Sequence, residues 1–217
     1  MKRSLLFMMI GLVVLWANAT DRFYVQNFSI WPGETRSVSI MLENDADYTA
    51  FQTDIYLPDC LTIEQEDGDY VFDLTSRKAS DHIIASQTQN DGSIRLISYS
   101  PGIHSFKGNS GPLVTFNVTA DANFKGPVSF CLRNTLFTMT TGAEIPFDDE
   151  ECMVFLKGDV NTDGIVDIVD ATTLINYLLY GHVDGFCYFA ADVSEDEVVD
   201  IIDATTLINF LLYGFWH

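Results

Sequence analysis

One unit is written twice at the end of this chain, and it leaves few folds open. The run Asp159-Val-Asn-Thr-Asp163-Gly-Ile-Val-Asp167-Ile-Val-Asp170 recurs 33 residues later as Asp192-Val-Ser-Glu-Asp196-Glu-Val-Val-Asp200-Ile-Ile-Asp203. Each copy runs on into Ala-Thr-Thr-Leu-Ile-Asn-(Tyr/Phe)-Leu-Leu-Tyr-Gly, so that residues 166–181 and 199–214 differ at two of sixteen positions. Residues 158–217 carry eleven Asp and Glu and no Lys or Arg. Acid packed that densely between apolar residues, with no basic partner, calls for a cation.

A twelve-residue loop can wrap calcium with oxygens from positions 1, 3, 5, 7, 9 and 12. In the first copy these are Asp159, Asn161, Asp163, the carbonyl of Ile165, Asp167 through a bridging water, and Asp170. Gly164 stands at position six, where the turn needs positive φ. In the second copy they are Asp192, Ser194, Asp196, the carbonyl of Val198, Asp200 and Asp203, with Glu197 at position six. A hydroxyl in place of an amide oxygen, and a side chain where a glycine stood, make the second loop the weaker of two expected Ca2+ sites. Asp in place of the usual closing Glu is a shorter arm, which brings the backbone nearer the ion.

A helix is predicted after each loop. Ala171, Leu174, Ile175, Leu178 and Leu179 recur at helical spacing, as do Ala204, Leu207, Ile208, Leu211 and Leu212, and Gly181 and Gly214 end the patterns. Two such helices can bury their stripes against each other. A unit of some sixty residues (158–217) is near the size at which an apolar core alone barely suffices, so bound metal is expected to supply part of the folding free energy.

These residues resemble a dockerin, a small calcium-bearing module that plugs into a cohesin domain in cellulosome-type assemblies. The two loops and the Leu-Leu-Tyr-Gly helix ends carry the likeness, over residues 157–217. The resemblance implies partner contacts at loop positions ten and eleven, here Ile168, Val169, Ile201 and Ile202, and on the helices at Asn176, Tyr180, Asn209 and Tyr213. Many dockerins have Ser or Thr at the first pair and a basic residue on the helix; this chain has neither, which implies a more apolar contact. The four aliphatic residues either meet a partner or pack on the module's own helices, and exposure decides between the two. If they face outward, the near-identity of the copies gives a surface that looks much the same after half a turn.

Lys2-Arg3, the apolar run from Leu5 to Trp16 and Ala17-Asn18-Ala19 read as a signal peptide over residues 1–19. The twelve-residue run is too short to span a bilayer comfortably, and no later segment reads as transmembrane. The expected location is secreted or at the cell surface. A net charge of −20 argues against nucleic acid or anionic lipid as a partner. Cys60, Cys131, Cys152 and Cys187 allow three pairings; Cys131 with Cys152, on neighbouring strands, is the first choice, and buried free thiols are the alternative.

Residues 20–156 alternate strand and turn signals. Val38, Ile40 and Leu42 alternate with polar residues after Trp31-Pro32-Gly33, as do Val114, Phe116 and Val118, and Val128, Phe130 and Leu132. Turn residues punctuate the segment at Pro58-Asp59, Asp67-Gly68, Asn90-Asp91-Gly92 and Pro101-Gly102. The expectation is an all-β antiparallel sandwich, jelly-roll-like, of eight to ten strands, followed by a small all-α module of duplicated loop-helix units. Pro32-Gly33-Glu34 before a Val-x-Ile-x-Leu strand, Phe51-Gln-Thr-Asp-Ile-Tyr-Leu-Pro-Asp and Gly111-Pro-Leu-Val-Thr-Phe-Asn-Val are similar to cohesin-type and carbohydrate-binding-module-type sandwiches.

No catalytic set stands out. Asp54, Glu64, Asp69 and Asp81 sit among turns with nothing to single out a facing pair, and His82 and His104 lie near no evident nucleophile. The aromatics of this region, Phe23, Tyr24, Phe28, Trp31, Tyr48, Phe51, Tyr56, Tyr70, Phe72 and Tyr99, read first as core and second as a platform for sugar rings. The leading expectation is a non-catalytic adaptor with a cohesin-like partner in a polysaccharide-degrading system. A carbohydrate-binding module carried by a dockerin, or self-association of dockerin with sandwich, are the alternatives. With only Leu156-Lys157-Gly158 between them, the two units are expected to pack on each other.

Overall fold

The computed structural model describes residues 21–216, so the expected signal peptide lies outside the described residues. Fourteen strands precede three helices: β1 (Arg22–Val25), β2 (Phe28–Ile30), β3 (Thr35–Glu43), β4 (Tyr48–Tyr56), β5 (Leu61–Ile63), β6 (Gln65–Glu66), β7 (Asp69–Tyr70), β8 (Asp73–Leu74), β9 (Ile83–Thr88), β10 (Ile94–Tyr99), β11 (Pro112–Ala120), β12 (Val128–Met139), β13 (Glu144–Pro146) and β14 (Glu150–Leu156), then α1 (Ile168–Tyr180), α2 (Tyr188–Ala191) and α3 (Ile201–Tyr213). Six of the strands are two or three residues long and escaped the alternation reading, because period two cannot show itself over so few residues.

The strands form an all-β sandwich. One sheet runs β1-β3-β11-β5, with β8 also on β11; the other runs β2-β14-β12-β4-β10-β9, with β13 on β12. All pairs are antiparallel except β2 with β14. The period-two residues behave as their pattern requires: Val38, Ile40 and Leu42 of β3, and Phe116 and Val118 of β11, point into the space between the sheets. The buried centre is aromatic. Phe23, Phe51, Tyr48 and Phe137 pack with ring centroids 5.0–5.5 Å apart, distances favourable to tilted and edge contacts.

Arg77 is buried without an acidic partner. Its five N–H groups donate to the carbonyls of Lys107, Leu42, Gly111 and Gly108 and to Oδ1 of Asn44, at 2.5–3.0 Å. The guanidinium thus ties the 107–111 loop to the end of β3 and to Asn44.

All four cysteines are free thiols. Cys131 and Cys152 do lie on neighbouring strands, but the register pairs Cys131 with Glu151 and Cys152 with Phe130. That offset of one residue puts their side chains on opposite faces of the sheet, so the first-choice disulfide does not form. Cys152 is buried, donates to the carbonyl of Gln26, and has its thiol pushed up to about 12 by burial.

In the helical unit, α1 and α3 bury Ala171, Leu174, Ala204 and Leu207 against each other with Val160, Ala191 and Val193. The expected stripes were too wide. Leu178, Ile208 and Leu211 are partly buried, whereas Ile175, Leu179 and Leu212 face outward. α1 and α3 meet along one narrow face, and what packs beside them, α2 and Trp31 of the sandwich, does not reach these three residues.

Candidate metal loops and docking faces

Each loop is a lattice of backbone amides aimed at carboxylates. In the first, Asp159 accepts from Asp163 N on Oδ1 (3.0 Å) and from Gly164 N on Oδ2 (2.9 Å). Asp163 Oδ1 accepts from Ile165 N (2.9 Å), and Asn161 Oδ1 from Asp163 N (3.0 Å). Asp170 reaches back to Asn161 N (3.1 Å) and Asp167 N (2.8 Å). Asp167 caps α1 by accepting from Val169 N (2.7 Å), forming a capping box with Asp170.

The second loop repeats these carboxylate bonds but not the one that Asn161 accepts, because Ser194 Oγ takes none. Asp192 accepts from Asp196 N and Glu197 N, Asp196 from Val198 N, and Asp203 from Ser194 N and Asp200 N. Asp200 caps α3 from Ile202 N at 2.6 Å. Position six is left-handed in both loops, with φ +84° at Gly164 and +67° at Glu197, and so is position four, with +58° at Thr162 and +62° at Glu195. The left-handed residue at position four of each loop had no signature in the sequence.

Three features fit these loops to a hard divalent cation. Asp159, Asp170 and Asp203 are buried, yet no Lys or Arg follows Lys157 in the sequence. Burial pushes the carboxyls of Asp159, Asp170 and Asp192 above the usual carboxylate range, a desolvation cost that a bound cation would offset. Ser194 Oγ is buried with no hydrogen-bond partner, at the third loop position, where an oxygen ligand is expected. Among the described residues no three His, Cys, Asp or Glu side chains converge as a ready-made metal-holding group. The acidic oxygens are turned to the loop's own amides, and the donor sets also rely on Asn161, Ser194 and two carbonyls. One amide bond leaves each carboxylate oxygen a second lone pair for an ion.

The positions assigned to partner contact divide by type. Ile168 and Ile201 are each 67% exposed, and Val169, Ile202, Tyr180 and Tyr213 are exposed too, while Asn176 and Asn209 are half-buried. The four aliphatic residues therefore do not pack on the module's own helices. Ile175 and Leu179 on α1 and Leu212 on α3 enlarge the apolar faces and were missed, because helical spacing nominated them for the core.

The helical unit sits on the sandwich through other residues. Trp31 meets Phe210 and Trp216 edge-on at 4.6 and 5.4 Å, and Phe210 stacks on Trp216 at 4.0 Å. Gly158 joins the units at φ +87°, and a Cβ there would lie 2.9 Å from Trp216, so glycine is required on both counts. An ion pair from Arg36 to Glu195 also crosses this junction, and Lys157, at the joint itself, pairs with the same carboxylate.

Residues 157–212 match the family model described as Dockerin type I domain. The carboxy-terminal unit is a dockerin type I domain. Dockerin domains bind calcium in general, which agrees with the donor spacing of both loops. No curated protein matches the chain. The sandwich is similar to a chain of the Coh-OlpC-Doc435 complex, a type I cohesin–dockerin complex from Clostridium thermocellum, at 10% identity and a TM-score of 0.51, covering 65% of this chain and 97% of that one. A non-cellulosomal cohesin from Archaeoglobus fulgidus matches at 12% identity and 0.48, over 63% and 91% of the two chains. CaCohA2 from Clostridium acetobutylicum matches at 15% and 0.49, over 64% and 92%. The fold ahead of the dockerin is thus a cohesin-like β-sandwich.

The sandwich does bring Asp81, His104 and Ser100 together. Ser100 Oγ donates to Asp81 Oδ2 (2.8 Å), and His104 Nδ1 lies 3.0 Å from Asp81 Oδ1. The hydroxyl is bonded to the acid and not to the imidazole ring, whereas a nucleophile needs its proton taken by the base. With Gly102 N also donating to Asp81 and His104 N to Ser100 Oγ, the cluster closes the turn after β10. Of the ten aromatics offered as a sugar platform, Phe23, Phe28, Tyr48, Phe51 and Phe72 are buried, Trp31 packs on the dockerin, and Tyr99 is the one classed as exposed.

Proposed function

We propose that this is a secreted, non-catalytic assembly protein: its dockerin, closed around two calcium ions, docks a cohesin-like partner, and its sandwich holds another component of a polysaccharide-degrading system. One observation carries the reading. The duplicated apolar faces at Ile168/Val169 and Ile201/Ile202 stay open while the dockerin is packed on its own sandwich through Phe210 and Trp216. Internal packing and external docking therefore use different surfaces. When bound, calcium supplies the countercharge the buried carboxylates lack; the chain's own part is to hold Asp159 and Asp170, and Asp192 and Asp203, on fixed amides so that α1 and α3 start from a set geometry.

Size-exclusion binding to a panel of type I cohesins tests this. Complex formation is expected in millimolar calcium, absent in EDTA, and lost in a variant with Ile168, Val169, Ile201 and Ile202 all changed to Asp. Binding that ignores both chelator and variant would refute it.

A second reading has its own observation. Ile83 on β9 and Ile97 and Tyr99 on β10 are exposed together on the outer face of the larger sheet, an apolar surface that the dockerin of another copy could cover. Light scattering with and without chelator tests self-association; a monomer at high concentration in calcium removes this reading.

A further inference from the structure

The two loops are near copies, yet the rest of the molecule treats them differently. At position four of the first loop, Thr162 is exposed; its counterpart Glu195 is gripped from outside. Glu195 Oε1 lies 2.6 Å from Lys157 Nζ and 3.4 Å from Arg36. Lys157 follows β14, its side chain is buried, and its ammonium lies 5.5 Å from the Trp216 ring. Arg36 belongs to β3 and also donates to the carbonyl of Ser29 at 2.8 Å. A left-handed glutamate is thus tied at its carboxylate by one cation from the sandwich and one from the joint between the units.

Position six repeats the contrast. Gly164 adopts its left-handed φ unaided, whereas Glu197 must hold one with a side chain attached. The Tyr188 hydroxyl donates to the carbonyl of Glu197 (3.0 Å) and accepts from Val199 N (3.2 Å), spanning the bend. Thirty-three residues earlier Phe155 stands at the corresponding place and has no hydroxyl to offer. Tyr188 is itself fixed to the sandwich side: the next residue, Phe189, stacks parallel to Phe155 of β14 at 5.8 Å, and Gly158 N donates to the carbonyl of Ala190. The two left-handed glutamates of the second loop therefore each have a brace from outside the loop, whereas Ser194, its other departure, has none, and neither brace recurs in the first loop.

We propose that the second loop is a braced metal site: Lys157 and Arg36 at Glu195, and Tyr188 at Glu197, are positioning residues that hold it in its binding conformation, so its calcium affinity depends on supports for which the first loop has no counterpart; the first loop meets the sandwich instead through Asp159 N on the Leu156 carbonyl and through Val166. The proposal rests on the calcium reading above. Coulomb's law alone predicts the opposite sign for two of these residues. Cations beside an ion site repel the ion, so removing Lys157 and Arg36 would tighten binding if charge were their whole effect. Positioning predicts loosening, because an unbraced loop must be ordered at the moment of binding.

The experiment is a calcium titration of the full-length chain followed by backbone amide NMR, with the Gly164 amide reporting the first loop and the Glu197 amide the second. In Lys157→Met/Arg36→Gln, the second-loop midpoint is expected to rise about tenfold, the usual scale for losing an outer-sphere support, while the first stays within about twofold. Tyr188→Phe, which leaves every charge in place, is expected to raise the second midpoint alone. Unchanged sandwich amides in each variant establish that the fold survives. A second-loop midpoint that is unchanged or tighter, or two loops that weaken together, overturns the proposal. Absence of a calcium response at both loops of the unaltered chain would overturn the calcium reading as well, and the two failures are therefore distinguishable.

Discussion

Asp54 shows how this acidic chain keeps a carboxylate inside its sandwich. It lies buried on β4 and takes a two-pronged contact from Arg95 of β10, Nε at 2.7 Å and an NH2 nitrogen at 2.8 Å, with Asn134 Nδ2 at 3.0 Å. The Arg95 guanidinium, helped by Asn134, holds this carboxyl below the usual range even though burial pushes the other way. A depressed folded pKa contributes stability that is present above the unfolded value, about 3.9, and is lost as pH falls through the folded one. Arg95→Ala strands the charge, so a loss of about 3 kcal/mol is expected at pH 7 by urea unfolding. Because the stranded acid is relieved by protonation, the gap to the unaltered chain should narrow as pH drops below about 4. Nothing in the sequence singled out Asp54 from Glu64, Asp69 or Asp81. Its partner stands 41 residues away, and only strand pairing brings the two together.

The helices and loops were more legible than the sandwich's detail, and for a local reason. A calcium-type loop and its capping box are written in consecutive residues, so Asp159 to Asp170 could be assigned from spacing alone. The width of a helix's buried face is not local: Ile175, Leu179 and Leu212 repeat at core spacing, but whether they are buried depends on what packs beside the helix. The closing carboxylates link loop to helix, since Asp170 and Asp203 accept from the loop and occupy the third helical position. Replacing both with Asn keeps the shape and removes the charge that closes each loop. The calcium concentration needed to restore the 222 nm helix signal after chelation should rise by about tenfold or more. An unshifted titration would mean that these two residues are caps and nothing else.

At the scale of the whole molecule, the junction between sandwich and dockerin is the feature the sequence hid best. Trp31 reads as a turn residue of one unit, whereas Phe210 lies within a helix of the other and Trp216 beyond its end; no spacing rule connects positions so far apart. A linker of three residues made packing expected, but not the rings that accomplish it. Their consequence is an orientation: the dockerin is held with both apolar faces outward. Trp31→Ala removes the ring that Phe210 and Trp216 both meet, and for a half-buried tryptophan a loss of about 2 kcal/mol is expected. Because Trp31 is outside both loops, first-loop calcium binding should be unaffected. The dockerin should instead gain freedom about Gly158, seen as a larger radius of gyration by small-angle scattering in calcium and as faster proteolysis after Lys157. If the variant loses stability but keeps its scattering profile, the ion pairs to Glu195 are sufficient to fix the orientation. If neither changes, the aromatic junction holds nothing in place, and the outward presentation of the docking faces must have another cause.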